Sequence, residues 1–208
     1  DACEERGGKV FLFGKINEGT AQAPKYASCC LSVEGVERNV FFLPRPFKLE
    51  RDGTPTDVPI SLDEVHAEVQ AKLRSMGITK KKVKPVKRKY MFGFIDPHVP
   101  PEAFYYKVTY PFSVDALASD TSGASYSRVF GTTAGALELL LLKRKIKGPC
   151  WLEIQGATKI SNPLSWCKHE FQVTSPKRVS VCVGSTEELR PPTLNVVSLN
   201  MQTILKGG

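Results

Sequence analysis

The densest concentration of reactive side chains lies between Lys80 and Lys89. Lys80, Lys81, Lys82, Lys84, Lys87, Arg88 and Lys89 are basic there, and no residue is acidic. The formal net charge is +8, and removing this stretch leaves about +1, so the basic excess is local. A local cationic ribbon suits phosphate, through Coulomb attraction and counterion release. The same run can serve as a solvated loop, or as a module that docks an acidic protein partner. Tyr90, Phe92 and Phe94 follow directly, and nucleic-acid bases stack on such rings. Alternate positions of a strand share one face, however, and this periodicity favours a core face over a stacking platform.

Other candidate chemistry is sparse. The six cysteines (Cys3, Cys29, Cys30, Cys150, Cys167 and Cys182) form no C-x-x-C pair, and Cys29 and Cys30 point to opposite faces of a strand. That spacing gives no zinc site; it reads as reduced, mostly buried thiols of a cytosolic or nuclear protein. His66, His98 and His169 are scattered and complete no ligand set. No nucleophile–base set, phosphate-binding glycine loop or carboxylate cluster is present, so no catalytic activity is expected of the chain itself. No apolar run approaches the roughly 18 residues of a membrane span, and no signal-peptide pattern opens the chain. Beginning at Asp1, the chain reads as a piece of a longer polypeptide.

The elements that position these groups follow from hydrophobic periodicity. Residues 10–16, 26–33 and 36–43 are strand-like, and Glu34-Gly35 has the spacing of a tight hairpin between the last two. Pro44 and Pro46 end the third run. Leu62, Val65, Val69, Leu73 and Met76 form one helical stripe, opened by a Ser61/Glu64 capping box and stopped by Gly77. Residues 90–95 and 104–110 look extended around a proline-rich loop, and 115–127 read as a surface loop. A second helix is expected over 134–145, buried on several faces, with Lys143, Arg144 and Lys145 complementing its dipole. Strands follow at 151–155 and 166–173. A proline break at 191–192 precedes a short strand, 194–199. The fold class is α+β, with antiparallel or mixed sheets and a few packed helices.

Two segments carry a resemblance. Residues 129–152, VFGTTAGALELLLLKRKIKGPCWL, followed by Ser165-Trp-Cys-Lys168, resemble the late amino-terminal domain of eukaryotic family B DNA polymerases. There an F-G-x-x-x helix leads into K-I-x-G-P-C-W-L and S-W/Y-C-K strands. Ser28-Cys-Cys30, Glu37-Arg38 and Phe42-Leu-Pro44 resemble one branch of that family. The likeness runs from about Val10 to the end and implies a barrel-like or RNA-binding-like subdomain. Residues 1–192 would be the amino-terminal domain, and 193–208 the first strand of a nuclease-like domain.

The second segment, PPTLNVVSLNMQT over residues 191–203, resembles the P-P-L-x-V-x-S-F-D-I-E-T opening of the family's 3′–5′ exonuclease. In proofreading members that Asp and Glu share one strand face and help hold two divalent metals that activate water. Asn200 and Gln202 occupy those positions here. An amide keeps the size of a carboxylate but loses the charge on which hard cations depend, so the resemblance implies a degenerate site without metal. It further implies a nuclear parent enzyme that extends RNA primers on template DNA, with associated primase and an accessory subunit. Its Mg2+ would sit in a palm domain outside this chain, and the amino-terminal domain would pack against the exonuclease-like and palm domains.

Overall fold

The computed structural model describes residues 7–20, 22–91, 96–184, 192 and 198–201. Cys3, Phe92, Phe94 and Gln202 lie outside these, as does most of the strand expected over 194–199. In chain order the first elements are β1 (Val10–Asn17), β2 (Tyr26–Val33), β3 (Glu37–Pro44), β4 (Phe47–Leu49), β5 (Pro55–Pro59) and α1 (Leu62–Ser75). Then come β6 (Lys82–Lys89), β7 (Glu102–Pro111), β8 (Tyr126–Phe130) and α2 (Ala136–Arg144). The last are β9 (Leu152–Ile154), β10 (Thr158–Lys159), β11 (His169–Val173) and β12 (Val179–Val181). The α+β class holds, with mixed and antiparallel sheets.

Helix α1 forms for local reasons. The Ser61 side chain accepts from the Glu64 amide, and the Glu64 carboxylate accepts from the Ser61 amide, so two orphan donors are satisfied together. Val65, Val69 and Leu73 are fully buried along its stripe, and Gly77, at φ 70°, takes the left-handed turn that ends it. The stripe packs on one face of a four-stranded antiparallel sheet ordered β6-β7-β3-β8, against Val40, Phe42, Tyr106, Val108 and Tyr126. Strand β3 leads through α1 to β6, with β7 inserted antiparallel between those two strands. This is the split βαβ arrangement of ferredoxin-like and RNA-binding-like sheets. None of the described sheets closes, so the barrel-like alternative is absent.

The first sheet, ordered β1-β2-β11-β10, is mixed, because β11 runs parallel to β2. It shares a second core with α2 and the β9–β12 pair, built on Val10, Val33, Val36, Leu140, Val173 and Val179. The expected β2–β3 hairpin is not formed. Both edges of β2 are taken by β1 and β11, and both edges of β3 by β7 and β8. Glu34-Gly35 is instead the crossing between two sheets, where the Glu34 amide donates to Val173 and the Val36 amide to Gly8. Partners remote in the chain outcompete the neighbour, although the local spacing suits a turn.

Four further expectations are corrected. Helix α2 buries one face only, through Ala136, Leu139 and Leu140, whereas Leu142 is 68% exposed. The thiols are free, but among the described ones only Cys30 is buried; Cys150 is exposed and the others lie between. Strand β8 begins inside the predicted 115–127 loop, at the buried Tyr126, while Trp166, assigned to a strand, precedes β11 and is fully exposed. Among the described residues no helix is long and apolar enough to cross a membrane.

Candidate nucleic-acid interface

The basic run is neither a loop nor a uniform ribbon. Lys82–Lys89 form β6, the terminal strand of its sheet, and pair along their whole length with β7. Pro85 is tolerated because a terminal strand has one edge without a ladder to complete. Strand alternation divides the cations. Lys82, Lys84 and Arg88 stand opposite Thr109, Lys107 and Ala103, on the face away from α1. Lys87 and Lys89 point to the other side, where Lys87 pairs with Glu102 at 2.7 Å. Before the strand, Lys81 donates to the Ile78 carbonyl, so it helps close the turn after α1.

The face that carries Lys82, Lys84 and Arg88 gains two cations remote from the run. Lys107 of β7 lies directly opposite Lys84, and its ammonium sits 5.7 Å from the Phe41 ring centroid. Lys143, from the last turn of α2, reaches the same end of the sheet, 3.8 Å from the Glu37 carboxylate. Partial burial holds both lysines below the usual ammonium range. Lys143, Lys84 and Arg88 add repulsion at Lys107, and Lys82 adds repulsion at Lys143. Glu37 opposes the shift in each case. Among the described residues, Lys82, Lys84 and Lys107 have no carboxylate within ion-pair distance.

The other half of this face is apolar and covered. Leu43, Tyr105 and Val99 are buried there, with Val86, Tyr90, Ala103 and Phe130 packed around them. Tyr90 lies 5.8 Å from Phe130, ring to ring, and packs against this core, but it follows β6 rather than sitting in the strand expected over 90–95, most of which lies outside the described residues. Sequence reasoning missed Lys107 and Phe41, which sit inside strands without a motif. It assigned Lys143 to the helix dipole alone; the turn of β7 and α2 towards β6 is what adds it to the face.

The remaining candidates are not assembled into a site. Asn200 is exposed, between Leu199 and Met201, each 81% exposed, and Ser198–Met201 adopt no strand. Among the described residues no group of three or more His, Cys, Asp or Glu could hold a metal ion. His66 packs edge-on against Tyr106, and His169 pairs with Glu18, so both have structural partners. An apolar groove between β1 and β9 is lined by Leu12, Phe13, Trp151, Phe171 and Cys182. Its described lining contains no carboxylate or imidazole to act as acid or base.

Comparison with known proteins supplies the family. The family description "DNA polymerase family B, exonuclease domain" matches residues 127–208, which include all of β8 but its first residue, α2 and everything beyond. Over nearly its whole length the chain is similar to curated family B relatives, and it belongs to that family. The relatives in question are DNA polymerase alpha catalytic subunits. That of Xenopus laevis is 42% identical over 199 residues, covering 95% of this chain and 13% of the relative. That of Mus musculus is 38% identical over the same shares, and that of Oryza sativa subsp. japonica 35% identical over 99% of the chain and 14% of the relative. The chain thus spans about one-seventh of the length of the relatives it matches.

Proposed function

We propose that this chain is a non-catalytic region of a DNA polymerase alpha catalytic subunit, and that it guides single-stranded template through its basic strand. The whole enzyme, in this reading, extends RNA primers supplied by an associated primase in the nucleus, using Mg2+ bound in a palm domain elsewhere in the polypeptide. Residues 1–192 belong to the amino-terminal domain, which packs against the exonuclease-like and palm domains, and 193–208 open the nuclease-like one. The observation that carries the reading is that most of the basic run, Lys82–Lys89, forms a terminal strand. It presents Lys82, Lys84 and Arg88 on one sheet face together with Lys107. A row of cations without acidic partners attracts a polyanion and releases its counterions.

Anisotropy of a labelled single-stranded oligonucleotide, titrated with the chain at stepped salt, tests this. Affinity should fall steeply as salt rises, and replacing all seven basic residues by glutamine should abolish most of it. Unchanged affinity after that replacement removes the proposal. The proofreading half of the reading rests on Asn200 and Gln202, whose amides lack the charge that paired divalent ions require. Full-length polymerase carrying these amides should leave a mismatched 3′ primer end intact; trimming through this site would overturn it.

A further inference from the structure

One lateral row of the β6-β7-β3-β8 sheet joins two kinds of chemistry. Lys84 stands opposite Lys107, Lys107 opposite Phe41, and Phe41 opposite Phe130, one residue from each strand. Directly paired residues project to the same side of a sheet, so this row is continuous on the face away from α1. With strands about 4.8 Å apart, it runs roughly 15 Å from cations to aromatic rings. Phe130 is fixed by Tyr90 and Tyr105, at 5.8 and 5.9 Å between rings. Phe41 is only partly buried, at the border between the covered apolar half and the cationic half, where Lys107 and Thr109 are half-buried and Asn39 is buried. The adjacent row, Lys82, Thr109 and Asn39, is polar, and the Thr109 hydroxyl donates to the Asn39 side-chain carbonyl.

From this juxtaposition we infer that single-stranded nucleic acid crosses the sheet face, with a base on Phe41 and phosphates on Lys84, Lys107, Lys82 and Lys143, rather than following the β6 edge. This deepens the proposed function and rests on it. Cations alone would hold any polyanion, but a ring placed in register with them adds the unpaired base as the recognised element. A duplex hides those base faces, and an acidic peptide has none. Lys84, Arg88 and Lys143 repel Lys107, Lys82 repels Lys143, and Glu37 offsets the charge only at Lys107 and Lys143, so repulsion remains that a bound phosphate relieves. The strand geometry also separates Lys87 and Lys89 from the site, although in sequence they are indistinguishable from Lys82 and Lys84.

Two triple variants of the full 208-residue chain, equal in charge removed, test the path. The face variant is Lys82→Gln, Lys84→Gln and Lys107→Gln; the edge variant is Lys80→Gln, Lys87→Gln and Lys89→Gln. Probes are oligothymidylate, oligouridylate, a DNA duplex and polyglutamate of matched length, with circular dichroism and thermal melting as folding controls. The face variant should bind a single strand at least tenfold more weakly, and its log–log salt slope should shrink by about two, as three lost phosphate contacts require. The edge variant should bind nearly as the parent does. Photocross-linking of 5-iodouracil oligomers should mark the peptide containing Phe41, and Phe41→Leu should weaken binding about tenfold without altering the salt slope. Equal losses in the two triples would overturn the path while leaving the proposed function standing. Loss in neither would remove both. Duplex binding as tight as single-strand binding, or equal displacement by polyglutamate, would also overturn the inference. Tighter binding of the thymidylate or of the uridylate oligomer tells template from primer, and either result supports the site.

Discussion

At the scale of single residues, two exposed carboxylates are unusually acidic. Lys48, with the Ser61 amide and hydroxyl, holds Glu64 down to about 2, and hydrogen bonds from Lys168 and His169 do the same for Glu18. In an unfolded chain each would titrate near its ordinary value of 4.5. A depressed folded pKa means that the unfolded state takes up protons first as pH falls. The stability these groups contribute is therefore complete above about 4.5 and is lost as the pH drops towards 2. Urea unfolding at stepped pH should show that loss, and the Glu18→Gln/Glu64→Gln double variant should flatten it. An unchanged slope would mean that the two pairs do not persist in solution.

At the scale of elements, legibility in the sequence followed the range of the interactions. Helix α1 was readable because Ser61, Glu64, its stripe and Gly77 all lie within one short stretch. The β6 strand was less so: seven basic residues around one proline look like a loop until β7 supplies a ladder. The pairing of β2 and β3 was misjudged because a favourable two-residue turn says nothing about strands competing for the same edges. Helix α2 was misjudged because LELLLL has no clear polar face, and only its neighbours decide which leucines are covered. This makes a sharp prediction. Leu140, fully buried, should cost about 2–5 kcal/mol when changed to alanine. Leu142, 68% exposed, should cost within about 0.5 kcal/mol for the same change. Equal losses in chemical denaturation would contradict the observed orientation of α2.

At the scale of the whole molecule, the two cores meet at a narrow crossing around Gly8, Glu34 and Val36. Gly8 has φ 87°, and a Cβ placed there would lie 2.6 Å from the Val36 carbonyl oxygen and 2.7 Å from the Phe112 Cβ. Neither neighbour is the free end of a flexible chain, so the backbone would have to shift. Gly8→Ala should therefore lose more than the roughly 1–2 kcal/mol of left-handed strain alone. Gly53→Ala, also at φ 87° but with nothing within 4 Å, should show the strain without the clash. Thermal melting of the pair separates the two effects, and equal shifts would mean that the crossing is more pliant than its geometry indicates.

Among the described residues strand β6 has one ladder and one bare edge, and a bare edge is an invitation to any other strand, including a copy of itself. Lysines on both of its faces and Pro85 in its middle make that invitation poor, since a second copy would bring like charge against like charge and meet a missing donor. The residues proposed to attract a polyanion would thus also oppose pairing of β6 with a second copy. High salt should weaken both properties at once, releasing the oligonucleotide while bringing the chains closer to self-association, and light scattering across a salt series would register the second.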